Sequence, residues 1–136
     1  MPDLRIQVPP NCELTLGMTC VDKSTPGRTV WRMRADERFA NPSGIVQGGF
    51  VGAMADSAMG SAAITYATGE GRRIFAANVE MKTSFLAAAR VGSTLECTAR
   101  IVSGGTRVAF AEAEVVDDAG RVVARASSTY LFTERG

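Results

Sequence analysis

The sequence predicts an α+β fold in which an antiparallel β-sheet wraps around one long central α-helix. Three observations carry this prediction: a long central segment that is apolar on nearly every face, two strand-like segments before it, and four after it. A helix that is apolar all round must be buried, and a curled sheet is the simplest structure that covers it. The 136 residues fit a single domain that spans 1–136.

The N-terminal part of the chain is predicted to contain an irregular arm and two strands. We expect residues 1–14 to form the arm, because prolines and an asparagine interrupt any periodic pattern there. The two strands are predicted at about 16–23 and 28–36. In the second strand Trp31 and Met33 alternate with arginines, which predicts one buried and one exposed face.

The central helix is predicted from about Gln47 to Thr68 and is rich in small residues. Glycine costs about 1 kcal/mol at a helix-interior position, so we expect that close packing or ligand access requires this many of them. The small residues are Gly48, Gly49, Gly52, Ala53, Ala55, Ala58, Gly60, Ala62 and Ala63.

The C-terminal half is predicted to form four strands joined by short turns. They lie at about 74–86, 93–103, 107–117 and 121–133. In the second of these, apolar residues alternate with Glu96, Thr98 and Arg100, as in a strand with one buried face. Gly104-Gly105 and Asp118-Ala119-Gly120 are typical of hairpin turns.

Composition excludes several classes of partner. The 15 basic and 14 acidic residues are interspersed and give a net charge of +1, so we expect neither nucleic acid nor a membrane as partner. The N-terminus lacks the apolar core of a signal peptide. Cys12, Cys20 and Cys97 are scattered and odd in number, which indicates core fillers in a reducing compartment. We therefore expect a cytoplasmic protein.

The absence of histidine limits the chemistry. It excludes the Ser-His-Asp triad, the Cys-His pair and every metal site built on histidine. The sequence also has no G-x-S-x-G motif and no P-loop. Catalysis would have to come from carboxylates, amides, hydroxyls and backbone N–H groups.

Asp56 is the anomalous residue of the central helix. A charge inside an apolar helix is unfavourable, and its neighbours at helical spacing are glycine, alanine and methionine, none of which can pair with it. One interpretation is a carboxylate that faces a cavity and acts as general base or nucleophile. The other is a structural aspartate paired with an arginine of the sheet.

Gly48 and Gly49 lie at the predicted start of the same helix. The N–H groups there lack intrahelical acceptors, so they could stabilise the oxyanion of an acyl group, although the glycines could also serve a tight turn. Gly48 and Asp56 are eight residues apart, which is about 12 Å along a helix. One chain cannot bring both to the same reacting carbonyl. If both act, they come from different subunits of an obligate dimer.

The segment from Asn41 to Asp56 carries a family resemblance. Its sequence, Asn41-Pro-Ser-Gly-Ile-Val-Gln-Gly-Gly-Phe-Val-Gly-Ala-Met-Ala-Asp56, resembles the N-P-x-G-x-x-H-G-G-x(6)-D signature of PaaI-like hot-dog thioesterases. The similarity continues through Asn78-Val-Glu-Met-Lys-Thr-Ser-Phe-Leu to the Gly104-Gly105-Thr106 hairpin. The resemblance implies the hot-dog fold and hydrolysis of an acyl-CoA thioester.

The resemblance also implies roles for individual residues. Asp56 would attack the thioester or activate water, the Gly48 amide would polarise the carbonyl, and Asn41 would help to hold the water or the thioester. Asn78 lies where relatives often have Ser or Thr and would position the water or the carboxylate. Gln47 replaces the family's histidine before Gly-Gly, and would orient the turn and the thioester without carrying a charge.

The predicted substrate-binding residues are Gln47, Gly49, Asn78 and Thr106, the last as a contact to the CoA tail together with Arg107. No metal or cofactor is expected beyond the CoA of the substrate, because thioester hydrolysis needs none. We expect a homo-oligomer that is at least a dimer. Two such dimers are expected to form a homotetramer, a dimer of dimers. Two alternatives remain: a non-catalytic acyl-CoA or acyl-carrier binding protein, and a dehydratase, which the lack of histidine disfavours.

Overall fold

The computed structural model describes residues 11–135. Two helices and six strands lie in the order α1, β1, β2, α2, β3, β4, β5, β6. A short 3-10 turn, Glu37–Phe39, lies between β2 and α2. The bounds are α1 Cys12–Leu16, β1 Met18–Asp22, β2 Arg28–Arg34, α2 Gly48–Gly69, β3 Ile74–Phe85, β4 Thr94–Gly104, β5 Val108–Val116 and β6 Val122–Glu134.

The six strands form one antiparallel sheet in the order β1-β2-β4-β5-β6-β3. The helix α2 crosses one face of this sheet and contacts β2 to β6. The core lies between them, with Met54 and Met59 of α2 facing Met33, Leu95 and Val115 of the sheet, all essentially fully buried. The predicted fold class, an antiparallel sheet with one long helix packed against it, is confirmed.

Alternation along the strands determines which side chains reach α2. Buried residues alternate with half-buried or exposed ones over much of β4, β5 and β6 and in the second half of β2. Cys97 is one of the buried residues, and burial raises the pKa of its thiol to about 12. A thiol of this kind stays protonated and unreactive, so Cys97 is a core filler as predicted. The prediction is wrong for Cys12, which is exposed, and for Cys20, which is only half-buried.

The helix α1 corrects the prediction of an irregular arm over residues 1–14. Asn11 caps this helix, since its Oδ1 accepts from the Leu14 N–H at 3.2 Å. Gly17 ends it in the left-handed conformation, with φ at 72°. Both capping residues are typical of helix ends, but a single turn between them leaves no periodic signal. Residues 1–10 of the arm lie outside the described residues.

The outer face of α2 corrects a second expectation. We expected a helix buried on all sides, but in the single chain the side away from the sheet is open to solvent. The exposed residues there are Asp56, Gly49 and Ile64. The half-buried residues are Gly52, Ala53, Ser57 and Ser61. Apart from Asp56, the face carries small and apolar residues, and one chain leaves it unpacked. No helix within residues 11–135 is both long and apolar enough to cross a membrane.

Candidate active site

Asp56 lies on the open face of α2, with its carboxylate turned toward the sheet edge formed by β3 and β6. Its Oδ1 accepts two hydrogen bonds, one from Nδ2 of Asn78 at 2.9 Å and one from the Tyr130 hydroxyl at 2.8 Å. The Tyr130 oxygen is also 3.0 Å from the Asp56 backbone carbonyl oxygen. Asp56 is therefore fixed by two neutral donors from the sheet.

Strand register brings the two donors together. Asn78 of β3 lies directly opposite Tyr130 of β6, and the register shifts between Asn78 and Glu80, where the ladder contains a bulge. Opposite residues of an antiparallel pair point to the same face, which here faces α2. Bulges re-aim side chains beside functional sites, and this one lies next to the Asn78 amide that reaches Asp56.

Asn78 and Tyr130 belong to a small buried polar network. The Nδ2 of Asn78 also lies 3.1 Å from Oγ of Ser128, a fully buried residue. The Oδ1 of Asn78 is buried and has no hydrogen-bond partner among the described residues. Burial, together with the adjacent Asp56 carboxylate, raises the pKa of Tyr130 well above its usual range. Tyr130 is therefore a protonated donor at any working pH.

The alternative interpretation of Asp56, a structural aspartate paired with an arginine, is wrong for the described part of the chain. No Lys or Arg of residues 11–135 forms an ion pair with it. The arginines of the sheet point to its opposite face, where Arg32, Arg100 and Arg125 pair with glutamates of neighbouring strands.

The N-terminus of α2 presents free backbone donors. The helix begins at Gly48 after Gln47, whose side chain makes no capping hydrogen bond. The first backbone bond of this turn runs from the Phe50 N–H to the Gln47 carbonyl at 2.9 Å. Helix geometry leaves the N–H groups of Gly48 and Gly49 without intrahelical acceptors, and no other acceptor within residues 11–135 receives them. This turn can stabilise negative charge.

An apolar cavity of about 460 Å³ opens beside this turn. Gly48 and Asn41 lie in its wall, and Phe85 of β3 lies across Gly48, with ring atoms 3.1 and 3.2 Å from where a Gly48 Cβ would be. A side chain at position 48 would therefore displace the Phe85 ring. The other lining residues are Ile45, Val46, Val51, Leu86, Ala87, Ala88, Ala89 and Val123.

Asn41 holds the loop that forms this wall. Its Oδ1 accepts from the N–H groups of Ser43 at 2.9 Å and Ile45 at 3.3 Å. Its Nδ2 makes no hydrogen bond to another described residue, and Asn41 lies in the cavity wall. Gln47 is exposed, and its backbone N–H donates to the Phe39 carbonyl at 2.8 Å.

The predicted site residues fall into three separate places on one chain. Asn41, Gln47, Gly48 and Gly49 lie at the start of α2, and Asp56 with Asn78 lies about 12 Å along the helix axis. Thr106 lies near the opposite end of α2, where Arg72 donates to the Thr106 carbonyl and Gly104 packs against Tyr66. The structure joins Asp56 and Asn78 as predicted, but one chain does not bring Gly48 or Thr106 to them.

Sequence reasoning missed Tyr130, Ser128 and Phe85. The first two alternate with half-buried or exposed residues along β6 and look like ordinary inward-facing strand residues. Only the pairing of β6 with β3 reveals that Tyr130 reaches Asp56 and that Ser128 reaches Asn78. Another depression, of about 530 Å³, lies on the far face of the sheet, but its lining contains none of the predicted site residues. Within residues 11–135 no cluster of three His, Cys, Asp or Glu side chains could hold a metal ion.

Comparisons with known proteins agree with this geometry. Residues 43–124 match the thioesterase superfamily. Human acyl-coenzyme A thioesterase 13 is 23% identical over 120 residues, which cover 88% of this chain and 83% of that protein.

Solved structures share the fold. The E. coli PaaI protein of the phenylacetic acid degradation operon superposes with a TM-score of 0.82 at 22% identity, covering 92% of this chain and 84% of that one. Streptococcus mutans smu.793, solved bound to acetyl CoA, gives a TM-score of 0.80 at 20% identity, covering 97% and 96%. The family match spans more than half of the chain, and it confirms the resemblance seen in the sequence: the chain belongs to the thioesterase superfamily and has the hot-dog fold of the PaaI-like thioesterases.

Proposed function

We propose that this protein hydrolyses an acyl-CoA thioester to the free acid and CoA, with Asp56 as general base or nucleophile and the Gly48 amide as oxyanion donor. The observation that carries the proposal is the Asp56 carboxylate, which is exposed, fixed by two neutral donors and paired with no cation among the described residues. An open, oriented carboxylate beside a cleft is a typical base or nucleophile. Acetyl CoA in the S. mutans structure supports this substrate class.

The reaction uses two elements of the site. Asp56 takes a proton from water as the water oxygen bonds to the thioester carbon, and negative charge moves to the carbonyl oxygen. The N–H of Gly48 stabilises that charge. The carbon–sulfur bond then breaks, the acid forms and the departing CoA sulfur takes the proton. Direct attack by the carboxylate, followed by hydrolysis of the mixed anhydride, uses the same two elements and gives the same products.

The site requires two chains. Gly48 and Asp56 both lie in α2, about 12 Å apart along its axis. A reacting carbonyl must lie about 3 Å from the oxyanion donor and near the attacking group. We therefore assign Asp56 of one subunit and Gly48 of another to each site.

Two surfaces of the chain support a dimer. The outer face of α2 carries small residues, and at Gly49 and Gly52 an added Cβ would meet nothing within 4 Å, so a second chain can approach this backbone closely. The edge strand β3 exposes Phe75 and Val79. A long apolar sheet edge is usually covered by pairing. Assembly of two such dimers into a tetramer stays a prediction.

The remaining predicted roles follow from this arrangement. Asn41 and Gln47 would contact the thioester from the N-terminal turn of α2, where Gly49 leaves space for it, and Thr106 would contact the CoA tail from a second subunit or along the surface. The reaction needs no cofactor beyond the CoA of the substrate. The three free cysteines agree with a cytoplasmic location, which also stays a prediction.

A panel of acyl-CoA thioesters tests this function. We expect the wild-type protein to release free CoA thiol from at least one of them. The Asp56→Asn variant should lose about 10²- to 10⁴-fold in kcat, the usual contribution of a general base, or more if Asp56 is the nucleophile, with its melting temperature and acyl-CoA affinity retained. Asp22→Asn, a surface aspartate of β1, is the matched control and should hydrolyse as the wild type does.

Two outcomes of this panel would contradict the proposal. Thiol release by Asp56→Asn at the wild-type rate would remove Asp56 from the chemistry. Tight binding of acyl-CoA by the wild type, with no thiol release from any of the thioesters, would favour the non-catalytic binding protein. The uncharged Gln47 side chain, which has no hydrogen-bond partner among the described residues, is the feature that favours this second candidate.

A further inference from the structure

The hydroxyl of Tyr130 is the closest polar atom that the sheet presents to Asp56. It lies 2.8 Å from Oδ1, closer than the Asn78 amide at 2.9 Å. Tyr130 itself is 2% exposed, so its ring is held by the surrounding core. The ring also packs beside Gly60 of α2, with atoms 3.7 Å from where a Gly60 Cβ would be. The hydroxyl has little freedom to leave the carboxylate.

Both donors converge on the same carboxylate oxygen. Asn78 and Tyr130 reach Oδ1, whereas no described residue donates to Oδ2 of Asp56. Hydrogen bonds to a charged oxygen are among the stronger ones, and two of them from adjacent strands fix the rotation of the carboxylate. The two oxygens are thereby made unequal, with Oδ1 anchored and Oδ2 free.

We propose that Tyr130 is a positioning residue that anchors Asp56 through Oδ1, so that Oδ2 is the atom that meets the water or the thioester. The proposal rests on the proposed thioester hydrolysis. Tyr130 does not touch the substrate in this scheme. It acts through Asp56, and its burial and the adjacent carboxylate keep the hydroxyl protonated as a permanent donor.

Tyr130→Phe tests the proposal, because it removes only the hydroxyl and keeps the ring that fills the core. We expect kcat for the best acyl-CoA to fall about ten- to hundredfold, as for loss of a hydrogen bond to a charged group. KM should change by less than about twofold, because substrate contacts are intact. Tyr66→Phe is the matched control, since the Tyr66 hydroxyl makes no hydrogen bond to another described residue, and it should leave kcat unchanged.

Ser128→Ala is the second variant and removes a hydroxyl that touches Asn78 but not Asp56. Its kcat should fall less than that of Tyr130→Phe, again with KM retained. A wild-type kcat for Tyr130→Phe, or a raised KM at unchanged kcat, would overturn the proposal. Equal losses in Tyr130→Phe and Tyr66→Phe, in step with melting temperature, would likewise show a structural role only. If the wild type itself released no thiol, the proposed function would fail before either variant was compared.

Discussion

At the scale of residues, the site depends on where neutral donors are placed around one charge. Asp56 has no cationic partner among the described residues. The two groups that hold it, the Asn78 amide and the Tyr130 phenol, are uncharged. A salt bridge would also have anchored the carboxylate, but the adjacent positive charge would have compensated its negative charge. This arrangement leaves the negative charge of Asp56 available for a proton or an acyl carbon.

Gln47 offers a test at the same scale. Its side chain is exposed and makes no hydrogen bond within residues 11–135, so Gln47→His removes no interaction of the chain. We expect the variant to keep or exceed the wild-type kcat/KM in the thiol-release assay. A fall of a hundredfold or more, about 2.7 kcal/mol of transition-state stabilisation, would instead mean that the site depends on the amide. The family-based role of this position would then need revision.

At the scale of elements, α2 and β3 define the site between them. α2 carries Gly48 at its N-terminus and Asp56 two turns later, and β3 carries Asn78 at its bulge and Phe85 at its end. The same two elements also leave their outer surfaces open, one along the helix and one along the sheet edge. The site and the proposed dimer contacts are therefore built from one pair of elements.

The turn between β5 and β6 gives an element-scale prediction of stability. Asp117 accepts from the N–H groups of Ala119 and Arg121 at 3.0 and 2.9 Å and forms an ion pair with the Arg121 side chain. These interactions, the backbone hydrogen bond from Arg121 first, hold its pKa below the usual value. A carboxyl group with a lowered folded-state pKa stabilises the protein above its unfolded pKa, about 3.9 for Asp, and this contribution is lost as the pH falls.

We therefore expect Asp117→Asn to melt below the wild type at pH 7. The difference in melting temperature should shrink as the pH falls below about 4, because the wild-type carboxyl group becomes protonated. Scanning calorimetry of both proteins between pH 7 and pH 2.5 measures it. A difference that stays constant over this range would show that charge at Asp117 does not contribute.

At the scale of the whole molecule, most of the fold could be predicted from the sequence, because strands such as β2 and β4 show alternation and the long α2 segment is apolar on nearly every face. The predicted bounds of α2 and of the four C-terminal strands differ from the observed ones by at most one residue. The short helix α1 is not predicted, because a single helical turn is too short to show a periodic pattern of apolar residues. Tyr130 and Ser128 are not predicted for another reason: Tyr130 reaches Asp56 and Ser128 reaches Asn78 only through the β3–β6 register, which is not visible in either strand alone.

The proposed site also depends on the whole molecule, because its two parts, the N-terminus of α2 and Asp56, must come together from two chains. One chain separates Gly48, the proposed oxyanion donor, from the Asp56 carboxylate by about two turns of helix, and the short side chain of aspartate cannot span that distance. The central claim is therefore that activity belongs to a pair of chains. It can be tested with two variants that fail for different reasons.

Asp56→Asn lacks the carboxylate, and Gly48→Pro lacks the amide donor. Proline is tolerated at the first position of a helix, and the extended backbone of Gln47, with ψ at 133°, suits a residue before proline. The proline ring would press on Phe85, whose ring atoms lie 3.1 Å away from the Cβ position. Gly48→Ala is the matched control, because it adds the same Cβ against Phe85 but keeps the N–H, and it should be clearly more active than Gly48→Pro.

The decisive measurement is thiol release by the two inactive variants after co-refolding. Each variant alone should be nearly inactive. In a hybrid dimer one shared site receives both defects, while the other has an intact Asp56 and an intact Gly48. With random assortment into symmetric dimers, an equal mixture should regain up to about a quarter of the wild-type activity. Verified hybrids that stay inactive, although both variants fold and assemble as the wild type does, would contradict the shared site.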